Sequence, residues 1–499
     1  MAGRQGGRWV ARLGSGLLCV LLLAGTSLAA GPEAALRDRL AAAAQPTLAA
    51  FYAERGYRPV WTDVGGVAAP GRRLAAALAA SGHPAPAGTD PAATELLLSG
   101  ALLQLAAGLA DVDAPAGAVD TTGLALLRRA ALAAATEPAG GPALAAFLGS
   151  ELPDDPGYWR LRAAVERYAR LQPADWPAIA DGPPLVPGDE DERVLALRQR
   201  LAAEDAPELA LPLALFDPAL EAAVRRFQLR HGLAVDGAVG PLTRRALNRT
   251  VAARLATLRA NRERLRRPLA DRPERYLLVN IAAAELAEVV DGQVGFESPV
   301  IVGRSDWPTP ELESAITAID LNPAWHVPPS IVAAELGPRL KRDPGYLGRQ
   351  HIRVFEGGGE LSPAEVAARS SLGGLRFRQD PGGQNPLGPL KFVFANPYGV
   401  YLHGSPAVGL FRRAERALSH GCVRVERALE LAQRLLAGDP AWTPAALAAA
   451  LASGATRTVP LRVPMPILLV YLTAWVDADG TVQFRDDLYG RDPPTPPPA

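Results

Sequence analysis

The chain has 499 residues, of which 48% are hydrophobic and 21% charged, so it is long enough for roughly three domains and too apolar to be largely disordered. Lysine plus arginine and aspartate plus glutamate each total 52, with no block of like charge. No net field therefore draws the chain to nucleic acid.

At the start, Arg4, Arg8 and Arg12 precede an apolar run over residues 17–24 and then Ser27-Leu28-Ala29-Ala30. That is the layout of a cleavable secretory signal over residues 1–30. The run falls short of the ~20 apolar residues that span a bilayer, so a retained anchor is the lesser reading and no stable membrane segment is expected after cleavage. Cys19 lacks the small residue before it that lipidation requires. Cleavage removes it and leaves Cys422 as the single cysteine, an unpaired thiol in an oxidising compartment that is either buried or used.

Residues 32–185 are rich in Ala and Leu at helical spacing and predict an α-helical scaffold. Phe51, Tyr52, Tyr57 and Trp61 read as core between its helices. Asp181-Gly182-Pro183-Pro184 and Pro187-Gly188 mark a boundary. A compact three-helix unit follows over 190–250, with helices predicted at 194–201, 219–231 and 242–247. Asp217, Leu220, Phe227, Gln228, Gly232, Leu233, Asp236, Gly237, Gly240 and Thr243 make this unit resemble the peptidoglycan-binding domain 1 family. The resemblance implies binding of wall glycan or stem peptide, or a scaffold role alone. A helix over 251–265 leads onward.

From 275 to 492 the texture is mainly β, with short strands near 276–281, 294–302, 315–321, 391–396 and 400–403. An insertion over about 328–382 has helical signals of its own. Ser362-Pro363-Ala364-Glu365 is a capping box with proline at the first helical position. Such an insertion can serve as a lid.

The segment from His403-Gly404-Ser405 to Ser419-His420-Gly421-Cys422-Val423-Arg424 carries the chemistry. Val425, Ala428, Leu429, Ala432 and Leu436 predict an amphipathic helix ending at Gly438. This places Cys422 just before a helix N-terminus, where the dipole favours a thiolate. A nucleophilic thiol also needs a base. His403 and His420 are the local candidates, although either alone reads equally well as a polar loop residue.

Taken together, the histidine spacing and Ser-His-Gly-Cys resemble the L,D-transpeptidase catalytic domain family, in its large periplasmic type with a helical scaffold, a peptidoglycan-binding domain and a lid. The fold class expected is thus multidomain α+β. The resemblance implies Cys422 as nucleophile, His403 as base, and the carbonyl of Gly404 or Ser405 as the group that orients the histidine. It implies an oxyanion hole from the N–H groups of Gly421 and Cys422, with His420 a less secure member of the site. Ser419, Tyr401, Arg424 and Trp325 are candidate pocket residues. Arg424 replaces the asparagine of smaller members, with a stem-peptide carboxylate as one idea for its partner, and Trp325 reads equally as core. The reaction implied is acyl transfer in the periplasm of a Gram-negative-type bacterium: a tetrapeptide stem loses its terminal D-alanine to a thioester, and a second stem's amine completes a 3→3 cross-link. No cofactor is implied, and proteins of wall synthesis are candidate partners. Rival readings are an L,D-carboxypeptidase or cysteine wall peptidase and a non-enzymatic binding scaffold. A zinc peptidase is disfavoured by six scattered histidines, and a papain-like enzyme by a histidine that precedes its cysteine.

Overall fold

The computed structural model describes residues 31–494 apart from 44, 64–65, 81–89, 110–115, 136–155, 172–175, 205, 267–272, 291–292 and 344. The expected signal over 1–30, with Cys19, lies outside the described residues. Among the described residues no helix is long and apolar enough to cross a membrane. The chain divides into two compact units, Met1–Trp159 and Arg160–Ala499.

The first unit is helical, with Pro32–Ala43, Pro46–Glu54, Ala69–Ala80, Pro91–Leu109 and Ala116–Ala135. Its fixed point is the buried carboxylate of Glu95. This accepts the N–H groups of Val60, Trp61 and Thr62 at 2.6, 2.8 and 2.9 Å and the Tyr52 hydroxyl at 2.6 Å. Those donors satisfy a charge that burial would otherwise penalise. Phe51, Tyr52 and Trp61 are core and Tyr57 is half-buried.

In the second unit, Leu161, Val165 and Tyr168 of the helix Pro156–Leu171 pack against Val251, Leu255 and the hairpin of Ala474–Val476 with Val482–Phe484. The scaffold expected to run to 185 is therefore divided. Residues at i, i+4 and i+7 form an apolar stripe, and that stripe is buried on the C-terminal hairpin. The three-helix module follows as Arg193–Glu204, Pro218–Arg230 and Pro241–Leu247. Its motif residues hold it together: the Asp217 side chain caps a helix on Leu220 N–H at 2.9 Å. Buried Gln228 binds Asp236 Oδ1, the Ala238 carbonyl and the N–H of Gly237, whose φ of +80° suits glycine. Beside it, fully buried Glu204 meets Arg200 at 2.8 Å, Arg230 at 3.0 Å and Arg254 at 3.5 Å. Burial pushes its carboxyl up, but the three guanidinium groups outweigh that and hold it well below the usual range.

The strands of the β-rich region are β1 (Arg275–Asn280), β2 (Glu285–Val290), β3 (Gln293–Gly303), β4 (Leu312–Leu321), β5 (Leu390–Phe394), β6 (Leu402–His403), β7 (Ala417–Ser419), β8 (Val423–Val425) and β9 (Arg457–Val470). They pair in the order β7-β3-β8-β6-β5-β4-β9-β1-β2, and a further pairing of β2 with β3 closes the sheet into a barrel. Closure leaves β7, paired only with β3, as the edge strand. Leu277, Val300, Ile319, Phe392, Leu402 and Val423 belong to its core. The helix Ala428–Leu436 covers that core with Leu431, Ala432, Leu435 and Leu436. Leu429, expected on the same face, is exposed, because 428, 431/432 and 435/436 are the positions that repeat at the helical period.

The insertion lies between the neighbouring strands β4 and β5 and begins at Trp325 rather than 328. Trp325–Val327 opens a four-stranded sheet with Arg376–Gln379, Ile352–Glu356 and Gly359–Leu361. Val332, Leu336, Leu347, Val354, Val366 and Phe377 give it a separate apolar core. Ser362 and Glu365 form both bonds of the capping box.

Candidate active site

Period-two alternation builds the site. In β6, Leu402 is buried in the barrel core, so Tyr401 and His403 point to the opposite face. In β8, Val423 is core, which turns Cys422 and Arg424 the same way. The two strands run parallel, with Leu402 opposite Val423 and His403 opposite Arg424. Tyr401, His403, Cys422 and Arg424 thus share one surface, and all four line a cavity of about 670 Å³ whose other wall is the insertion, including Trp325, Glu335, Leu336 and Arg339. The insertion thus walls the cavity opposite the two strands.

The position of the thiol departs from the sequence expectation. Cys422 leads into strand β8, and the next helix starts only at Ala428. Val423 and Val425 are β-branched and alternate with a polar residue, a strand pattern that overrides helix here. No helix dipole acts on the sulfur. Burial instead pushes the Cys422 thiol up, opposed by the N–H and hydroxyl of Tyr401 and by the charges of Lys391 and Arg424. Burial, and then the neighbouring Cys422, hold the Tyr401 phenol protonated well above its usual range, while the Trp325 indole acts in the opposite sense.

His403 is 4% exposed, and its Nδ1 lies 2.6 Å from the Gly404 carbonyl. That carbonyl accepts Nδ1–H, which leaves Nε2 with a lone pair. Burial, together with the nearby Arg424, lowers its pKa to about 4, so the ring is neutral at pH 7. Two cations flank it across the ladder, Lys391 on β5 and Arg424 on β8. Lys391 is matched by Asp320 at 3.5 Å. No hydrogen bond joins His403 to the sulfur among the described residues.

Of the two carbonyls expected to orient the ring, that of Gly404 lies on Nδ1, while the Ser405 hydroxyl accepts the Ala407 N–H at 3.2 Å. The Gly421 N–H is taken by the Ser419 hydroxyl at 3.2 Å, and that hydroxyl donates to the Cys422 carbonyl at 2.5 Å. The Gly421 N–H, expected to join that of Cys422 in an oxyanion hole, is therefore occupied, while the Cys422 N–H has no hydrogen bond among the described residues. Gly421 sits at φ +106°, a conformation that lets the chain reverse between Ser419 and Cys422. His420 lines the same cavity, its Nε2 2.8 Å from Glu335 of the insertion and its ring edge-on to Trp307. Among the described residues no group of three or more His, Cys, Asp or Glu side chains is gathered as a metal ligand set.

Residues 274–442 match the family described as "L,D-transpeptidase catalytic domain", and residues 190–247 the one described as "Putative peptidoglycan binding domain". Residues 274–442 are thus similar to that catalytic domain. A Haemophilus influenzae protein named "Putative L,D-transpeptidase" is 35% identical over 218 residues, covering 43% of this chain and 44% of that protein. The match therefore spans less than half of the relative's length. Among solved structures, an L,D-transpeptidase from Mycobacterium smegmatis is 17% identical over 40% of this chain and 58% of its own, with a TM-score of 0.20. One from Xylanimonas cellulosilytica is 18% identical over 58% and 99%, with a TM-score of 0.19. Superpositions at that level carry no weight for the site.

A support for the cysteine turn comes from far along the chain. Buried Thr309 donates its hydroxyl to the Gly421 carbonyl at 2.8 Å and accepts the Gly303 N–H at 2.8 Å. The Tyr489 hydroxyl receives the Thr309 N–H at 3.1 Å and donates to the Gly303 carbonyl at 2.7 Å. Sequence reasoning missed Thr309, Tyr489 and Glu335, since each meets the site only through tertiary contact.

Proposed function

We propose that this chain is an exported peptidoglycan L,D-transpeptidase, working in the periplasm at the wall and forming 3→3 cross-links between stem peptides. What supports the reading most is the convergence of Cys422 and a neutral, backbone-oriented His403 on one wall of a lidded cavity inside a matched L,D-transpeptidase domain. The resting thiol and imidazole are both neutral. When the carbonyl of the third stem residue enters, His403 Nε2 takes the thiol proton as Sγ bonds to the carbonyl carbon. The Cys422 N–H stabilises the oxyanion, with the protonated Tyr401 phenol beside the sulfur. Collapse breaks the C–N bond, and His403 returns the proton to the departing amine of D-alanine. The amine of a second stem then attacks the thioester, loses a proton to His403 and frees the thiol. The lid limits access of water, which competes for the thioester. The three-helix module would hold the enzyme on the glycan or stem peptides.

The test is incubation with a disaccharide-tetrapeptide followed by mass spectrometry, alongside Cys422→Ala and a chelator control. A Cys422-dependent, chelator-insensitive dimer lacking one D-alanine is expected. Monomer that has merely lost D-alanine would assign an L,D-carboxypeptidase instead, and product formation without Cys422 would overturn the cysteine mechanism.

A further inference from the structure

Among the described residues two guanidinium groups line the cavity, and that of Arg339 has the hydroxyl and ring of Tyr346. Of the cations nearby, Lys391 has Asp320 and Arg304 has Asp306. Arg424, half-buried on the cavity wall, has neither hydrogen bond nor ion pair among the described residues. The carboxylate that acts on it is that of Glu335. Glu335 is already engaged by His420 at 2.8 Å and Arg304 at 3.8 Å. A guanidinium left partly desolvated and unpaired is costly, and a planar anion relieves that cost through paired N–H bonds.

We infer that Arg424 is the residue that binds the free C-terminal carboxylate of the donor stem, on the leaving side of the scissile bond. This rests on the transpeptidase reading above. Position selects which carboxylate is bound. Arg424 stands directly opposite His403 in the parallel ladder, about 4.8 Å away strand to strand. His403 is the group that hands a proton to the leaving amine, and in the leaving residue the carboxylate is attached to the carbon next to that amine. The group on the leaving side of the scissile bond therefore comes beside Arg424. Carboxylates on the acyl side lie beyond the thioester carbon, away from His403. Neutralising Arg424 also removes one of the charges that disfavour protonated His403, so the correct leaving group would help the base accept its proton.

The experiment compares two donors on the full chain: a tetrapeptide stem with a free terminal carboxylate, and the same stem capped there as a primary amide. Acyl-enzyme formation on Cys422 is followed by mass spectrometry. The wild type is expected to favour the acid by roughly ten- to a hundredfold in acylation rate, the size of a charge-assisted hydrogen bond. Arg424→Gln is expected to lose the acid selectively, bringing the two donors within a few fold, and Arg424→Lys to restore part of the preference. A role confined to tuning the thiol or His403 would slow both donors alike and leave the ratio intact. That result, or a wild type indifferent to the cap, overturns the inference. Where Arg424→Gln does not fold, Arg424→Lys carries the test, and a ratio unchanged from wild type in that variant overturns the inference. Acylation by neither donor would instead count against the transpeptidase reading.

Discussion

At Cys422 and His403 two neighbouring groups are held neutral by the same burial, and each gives a measurable titration. Because burial pushes the thiol up, alkylation of Cys422 by iodoacetamide should keep accelerating with pH beyond the ~8.5 of a free thiol, with no plateau near neutrality. Tyr401→Phe removes one group that favours the thiolate and should slow labelling at pH 7 several-fold, as read by mass spectrometry. For His403 the folded pKa of about 4 lies below the unfolded ~6.5, so the unfolded chain binds the extra proton in between. Its contribution to stability is complete above pH 6.5 and is lost as the pH falls toward 4, at up to about 1.4 kcal/mol per pH unit. Urea unfolding of His403→Gln should show a shallower slope over that window, with the share due to His231, buried and also lowered, remaining. The four-residue face was legible in part. His403 and Cys422 stood out by spacing, and Tyr401 follows from His403 by alternation. The unpaired state of Arg424 and the occupied N–H of Gly421 were not legible, because they depend on where Glu335 and Ser419 point their side chains.

The secondary elements show where local patterns decide and where distant packing does. The capping box at Ser362 and the turn locked by Gln228 use residues close in sequence, and both follow from spacing. The stretch after Cys422 was read as the start of a helix because its apolar residues also fit a helical period, but barrel closure claims Val423 and Val425 as a strand. The contact between lid and barrel joins residues 85 positions apart, so no local pattern announces it. Glu335→Gln should cost less than about 1 kcal/mol in unfolding, since the pair is solvent-accessible. It should nevertheless raise the ratio of hydrolysed to cross-linked product, measured chromatographically, by loosening the wall that limits water. Glu204→Gln belongs to the opposite regime. It leaves three buried guanidinium groups without their shared carboxylate and should cost about 3–5 kcal/mol in urea unfolding.

For the whole molecule, the compact units do not follow the turn-rich segments. The Pro- and Gly-rich stretch at 181–188 looks like a boundary because it cannot continue a helix, yet the helix before it has most of its apolar stripe on the C-terminal hairpin. A fragment covering 160–494 should therefore unfold cooperatively at the temperature of this unit in the full chain. One starting at 190 should melt well below it, having lost Leu161, Val165 and Tyr168, side chains worth about 1.5–3 kcal/mol each when buried. Scanning calorimetry on both fragments distinguishes the two boundaries.

The junction of lid and barrel bears on heredity as well as catalysis. Leu321 and Leu390 are register partners in adjacent strands, and the N–H of Asn322 donates to the Pro389 carbonyl at 2.8 Å, so the entire insertion leaves and re-enters the barrel through one pair of residues. To the barrel it is a long hairpin loop, and the entropy of closing such a loop grows only with the logarithm of its length. An insertion or deletion event in the gene could therefore resize, replace or excise the segment between 322 and 389 while the barrel keeps its register, making this joint a natural place for lineages to diversify.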